Sequence, residues 1–166
     1  MKLKLLWVSL LILAGTYGHA QTKEKRIIYH PEADAAAELD AAIKKAAEQG
    51  RHVFIQAGGN WCGWCIRFHD LVNGNDTLNA YLRQNYEVIH LNFSPENKNE
   101  EVFARLDYPQ RFGFPVFIIL DSKGKRIHTQ NSAYLEEGKG HSSKKVLDFF
   151  KDWSPAAVNP SNYPEK

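Results

Sequence analysis

The chain has 166 residues, 21 basic and 19 acidic side chains, and only two cysteines. That length supports one domain with its own packed core. The near-neutral balance gives no electrostatic reason to bind nucleic acid, and two cysteines cannot make a disulfide scaffold, so the core must come from packing.

The first twenty residues stand apart. Met1 to Lys4 is a short basic start, Leu5 to Ala14 is an apolar run, and Gly18-His19-Ala20 closes on small residues. This is the layout of a secretory signal peptide cleaved after Ala20. The run is shorter than the roughly 18–20 residues a spanning helix needs, which weighs against a membrane anchor. Removing residues 1–20 takes away Lys2 and Lys4 and leaves 19 charges of each sign. Export places the soluble chain in the periplasm or another extracytoplasmic space, where disulfides persist.

Residues 21–26 read as a polar leader, and the domain is expected over 27–153. Ile27 to His30 suggests a short strand. Residues 31–49 carry Ala35, Leu39, Ala42, Ile43 and Ala46 at helical spacing, with Pro31 before and Gly50 after. Residues 52–56 form an apolar run suited to a buried strand. A helix is expected over 62–72, a turn at 73–76, and a further helix over 77–85. Residues 86–93 alternate, with Val88, Tyr86 and His90 on one side and Glu87, Ile89 and Leu91 on the other, as in a strand. Helical character returns over 95–107. Residues 115–120 make a strongly apolar strand, and 121–124 turn into a second strand over 125–130. Ser142 or Ser143 can cap a last helix, with Val146, Leu147, Phe149, Phe150 and Trp153 at core spacing. Residues 154–166 hold three prolines and little apolar content, and read as a disordered tail. This order predicts an α/β fold: a central mixed β-sheet flanked by helices on both faces.

The two cysteines lie in Gly59-Asn60-Trp61-Cys62-Gly63-Trp64-Cys65. Haem attachment would need His after the second cysteine, and Ile66 stands there. A structural zinc site needs four ligands; this pair supplies two, with His69 as a third candidate on the same helical face. A bridge across two residues removes little chain entropy and stabilises weakly. Redox chemistry fits better. Cys62 falls at a helix start, where free N–H groups and the helix dipole favour a thiolate. A thiolate there is both nucleophile and good leaving group. Cys65, one turn further in, is placed to attack a mixed disulfide on Cys62. Gly63 permits close approach of another chain. Trp61 and Trp64 offer flat apolar surface, with core packing the plainer role for Trp61 and an equal alternative for Trp64.

With Arg111-Phe112-Gly113-Phe114-Pro115 leading into an apolar strand, the segment resembles the thioredoxin superfamily, and most of all exported thioredoxin-like proteins with a CGWC site. The resemblance covers about residues 27–153 and implies a thioredoxin-like fold. It implies that Pro115 is cis and packs on the disulfide, and that Phe114 pairs with substrate backbone. It also implies a thiol–disulfide oxidoreductase that uses Cys62 and Cys65, needs no cofactor or metal, and acts on protein disulfides and dithiols. Reductase or isomerase duty is favoured over strong oxidation, with a membrane protein supplying electrons. The chain departs from thioredoxin in three places. Trp64 replaces a proline between the cysteines, Asp70 replaces a helix proline, and Gln56 or Ile55 stands where thioredoxin buries an acid beneath the second cysteine. Two other classes remain: a non-redox binding or chaperone module on the same fold, and a copper or zinc carrier using Cys62, Cys65 and His69.

Overall fold

The computed structural model describes residues 26–163; the expected signal peptide at 1–20 lies outside them. Helix α1 (Ala35–Gln49) starts at Asp34, whose carboxylate accepts the N–H groups of Ala36 and Ala37, and stops at Gly50 in the left-handed conformation. Strand β1 (His52–Gly58) follows. Helix α2 (Gly63–Gly74) and helix α3 (Asp76–Asn85) are separated by Asn75 alone. Then come β2 (Tyr86–Asn92), α4 (Glu100–Arg105), β3 (Val116–Leu120), β4 (Arg126–Asn131), β5 (Glu136–Glu137), β6 (Gly140–His141) and α5 (Ser143–Asp152). No helix among the described residues is long and apolar enough to cross a membrane.

The main sheet runs β2-β1-β3-β4. Strand β1 is parallel to β2 and antiparallel to β3, which is antiparallel to β4. Every residue of β1 is buried, as its central place requires. Its side chains alternate between two cores. Val53, Ile55 and Ala57 join Leu39, Ala42 and Ala46 of α1 and Phe103 of α4. Phe54 enters the other core with Phe68, Leu82, Tyr86, Phe117, Phe149 and Phe150, drawn from α2, α3, α5 and the sheet. Helices therefore cover both faces, and truncating a ring such as Phe54 to alanine would cost about 3–5 kcal/mol.

Three expectations change. Residues 27–30 form no strand. The N–H groups of Ile28 and Tyr29 both go to Asn60 Oδ1 (2.9 and 3.1 Å), and Asn60 Nδ2 returns a bond to Tyr29 O at 2.7 Å. One amide side chain thus does the pairing a neighbouring strand would otherwise supply. The helix expected over 95–107 shrinks to α4, because polar side chains capture the backbone before it. Asn92 Nδ2 donates to Asn97 O, Asn99 Nδ2 donates to Asn92 O, and Asn99 adopts a positive φ. The turn expected at 73–76 contracts to Asn75, whose side chain accepts the N–H of Leu78 and caps α3. The β5–β6 hairpin carries no alternating apolar pattern and was not anticipated. Past α5, Ser154 is buried and Pro160–Asn162 makes one 3-10 turn capped by Asn159.

Candidate active site

Cys62 is the N-cap of α2, in an extended conformation (φ −89°, ψ 101°). Its sulfur accepts the N–H of Cys65 at 3.1 Å. This is one of the first-turn donors that a helix cannot satisfy internally, and it points where negative charge would develop on Cys62. The two sulfurs are bonded to each other across a Cα–Cα distance of 5.2 Å. Cys62 is 5 % exposed and Cys65 is fully buried, so Cys62 is the outer member of the pair.

The loop before α2 is shaped by close contacts. A Cβ at Gly58 would lie 2.4 Å from Cys65 Sγ and 2.9 Å from Tyr29 Oη. A Cβ at Gly59 would lie 2.3 Å from Trp61 Nε1 and 2.8 Å from Phe93 O. Both positions therefore exclude any larger residue as the chain stands. The Trp61 indole N–H donates to Phe93 O at 2.7 Å, and the ring meets Phe114 edge-on at 5.7 Å. Trp61 is nevertheless 55 % exposed, so core packing, the plainer sequence reading, does not describe it. Trp64 is half-buried instead. The Arg67 guanidinium lies 5.0 Å from its ring centre, and His141 packs edge-on at 5.5 Å. The β5–β6 hairpin is what delivers His141 to this place. Gly63 is exposed, with only Arg67 near the position its side chain would take.

The Phe114–Pro115 peptide is cis. Val116 pairs with Ala57, which sets residues 114–115 beside the end of β1. There Phe114 packs against the cluster of Tyr29, Cys62 and Cys65, and against Phe93 at 4.9 Å between ring centres. Residues fifty apart in sequence thus meet at the disulfide. Next to Trp61 a groove of about 570 Å³ opens between Pro31, Phe93, Pro95 and Lys98.

Beneath Cys65 stands Gln56, buried, and not Ile55, which faces the α1 core. Its Nε2 donates to Tyr29 Oη at 2.7 Å and to Cys65 O at 3.0 Å. Tyr29 is fully buried, and burial pushes its phenol well above the ordinary range. Sequence reasoning missed Tyr29, because a lone tyrosine in a short stretch read as a strand carries no chemical signal. Beside it His90 meets the ring edge-on at 5.7 Å. Burial pushes His90 down to about 4, with His69 and His30 adding to the effect. His69 packs against His90 at 5.4 Å. Among the described residues, with the two sulfurs bonded to each other, no three His, Cys, Asp or Glu side chains converge as metal ligands. Asp70, in place of the helix proline, pairs with Arg26.

A family model described as thioredoxin-like matches residues 34–122, more than half of the chain. Among solved structures, a disulphide isomerase from Xylella fastidiosa Temecula1 superposes with a TM-score of 0.66 at 22 % identity, over 76 % of this chain and 96 % of that one. A DsbH oxidoreductase superposes with a TM-score of 0.53 at 17 % identity, over 84 % and 94 %. Comparison with curated proteins finds no match.

Proposed function

This chain belongs to the thioredoxin-like family, and from that premise we propose that it is an exported thiol–disulfide oxidoreductase working on protein substrates through Cys62 and Cys65. The observation that carries the reading is the Cys62–Cys65 disulfide at the N-terminus of α2, with the Cys62 sulfur accepting a backbone N–H.

In the dithiol form, the Cys62 thiolate attacks a substrate disulfide. The substrate S–S bond breaks, one substrate thiolate leaves, and a mixed disulfide joins Cys62 to the other half. Cys65 then gives up its proton, and its thiolate attacks Cys62 Sγ. The second substrate sulfur leaves as a thiolate and takes up a proton. Two electrons have passed from protein to substrate, and the protein is left with its internal disulfide. In an isomerase cycle the released thiolate attacks elsewhere in the substrate before Cys65 intervenes.

Trp61, Gly63 and Trp64 border the outer sulfur, and Phe114-Pro115 lies where an extended substrate segment would pair by its backbone. We assign these residues to substrate binding. No cofactor enters the cycle. The first twenty residues act as a signal peptide, so the working domain is 27–153 in the periplasm or an equivalent space. There a reductase or isomerase needs electrons from a membrane protein. The likeness to a protein called a disulphide isomerase supports this direction over strong oxidation.

Cys65→Ser expressed in the native host tests the proposal. It blocks the resolving step and should collect substrates on Cys62 as mixed disulfides, visible as dithiothreitol-sensitive bands on a non-reducing gel. A variant that traps nothing, together with a wild-type protein whose disulfide exchange does not exceed that of Cys62→Ser, would end the redox reading.

A further inference from the structure

Thioredoxin-like chemistry needs a group that stabilises the inner cysteine as a thiolate, and among the described residues it is the amide Gln56, not a carboxylate, that stands beneath Cys65. The oxygen of Tyr29 accepts a hydrogen bond from Gln56, which leaves the hydroxyl with its own hydrogen to give. Among the described residues no acceptor takes it. The same phenol oxygen and Cys65 Sγ flank the one gap left by the missing side chain of Gly58. Tyr29, Cys62 and Cys65 form one packed cluster, with Ile28, Trp64 and Phe114 around it. The tyrosine cannot swing away, because Asn60 holds its backbone N–H and C=O. Gln56 also holds Cys65 O, so one amide fixes both the phenol and the helix turn that carries the sulfur.

Resting on the redox reading above, we infer that Tyr29 is a further functional residue: its hydroxyl donates to the Cys65 sulfur as that sulfur becomes a thiolate, with Gln56 as the group that positions it. In the resolving step, the Cys65 S–H bond breaks and its proton passes to solvent. The thiolate left behind receives the Tyr29 hydrogen bond, forms the bond to Cys62 Sγ, and expels the substrate thiolate. Tyr29 stays protonated throughout. The titratable groups that face it are Cys65 and Cys62 from α2 and His90 from β2; His69 lies behind His90, and His30 follows Tyr29 in the chain. His90, neutral across the working range, leaves the local charge unchanged while Cys65 titrates. A cavity of about 260 Å³ lined by Gln56, His69 and His90 reaches the Gln56 side of this floor from the α2–α3 side.

The test uses the full domain in its dithiol form and an aromatic disulfide whose released thiolate is coloured, dithiobis-nitrobenzoate. The first thiolate released reports attack by Cys62, and the second reports attack by Cys65 on the mixed disulfide. Tyr29→Phe should leave the first release within about twofold of wild type and slow the second about tenfold at neutral pH, as expected for losing a hydrogen bond to a charged group. The pH midpoint of the second release should rise by about one unit. Gln56→Leu, which frees the phenol without removing it, should slow the same phase by a smaller factor. Two results overturn the assignment: second phases that match wild type across pH in both variants, or both phases slowed equally, which would mark a structural role. A wild-type protein that gives no second release overturns the redox reading itself, and this assignment with it.

Discussion

Trp61, Gly63 and Trp64 surround the outer sulfur with exposed or half-buried residues, whereas the inner sulfur lies over Gln56, Tyr29 and Gly58, all of them buried. The outer rim is contiguous in sequence, and the Phe114, Arg67 and His141 contacts on its tryptophans leave them exposed or half-buried. The floor is assembled from the segment before α1, from β1 and from α2, and its members contact one another directly. The difference separates two kinds of constraint. On the rim, a residue answers mainly to whatever docks there. On the floor, the same atoms that set the chemistry of Cys65 also hold the sheet to α2, so chemistry and stability cannot be varied independently.

The largest expected effect is on the floor. Gly58→Ala would place a Cβ 2.4 Å from Cys65 Sγ, on a central strand held on both sides. Relief requires moving either β1 or α2, and overpacking of this kind destabilises by about 3 kcal/mol. For a domain of this size the melting temperature should drop by roughly 6–12 °C. Urea unfolding and thiol titration of the oxidised protein check it. A variant as stable as wild type, with its disulfide intact, would show that the floor has slack and would erase the contrast with the rim.

The contrast also explains what could be read from sequence. The rim was legible because Cys62, Gly63, Trp64 and Cys65 are neighbours in the chain and their types carry chemistry. Phe114-Pro115 was legible only through resemblance, since nothing local places it against a disulfide. The sheet followed from the apolar runs at 52–56 and 115–120 and from the alternation over 86–93. Residues 27–30 and 95–99 were misread for one physical reason: Asn side chains satisfy the backbone there, and such bonds leave no periodic trace. Tyr29 belongs to the floor because Asn60 holds it from 31 residues away. The His141 contact with Trp64 depends on a two-residue hairpin with no strand pattern.

A second way to probe the floor is acid. His90 has its pKa pushed down to about 4 from the ordinary 6.5, first by burial and then by His69 and His30. Between those values the unfolded chain binds more protons than the folded one, so stability rises with pH there. It is fully present above about pH 6.5 and is lost as pH falls toward 4. The loss should reach about 2–3 kcal/mol, allowing for the partial access of solvent to the ring. His52 and His141 are pushed the same way by burial and add to the slope. Replacing His90 by Leu should flatten the curve by its own share, seen as urea midpoints at neutral pH and near pH 4.5 drawing together. An unchanged slope would place the acid sensitivity elsewhere than beneath the site.

The smallest effect on stability belongs to the rim and is the sharpest test of the comparison. Trp61→Ala removes one hydrogen bond to Phe93 O and an edge contact with Phe114. The ring is more than half exposed, so little buried area is lost, and the freed carbonyl lies beside an open groove where water can reach it. The cost should be about 1 kcal/mol or less. If the rim serves docking, exchange with a protein disulfide should slow several-fold, because a flat aromatic surface next to the reacting sulfur contributes to holding an extended chain. Exchange with a small disulfide such as oxidised glutathione should hardly change, since that molecule does not span the surface. Rates with both substrates, measured on one preparation beside its urea midpoint, separate the alternatives. Equal slowing with both would mean that Trp61 acts on Cys62 itself. A large loss of stability would mean that rim and floor form one packed unit, with Phe114, which touches Trp61 and the disulfide cluster alike, as the link between them.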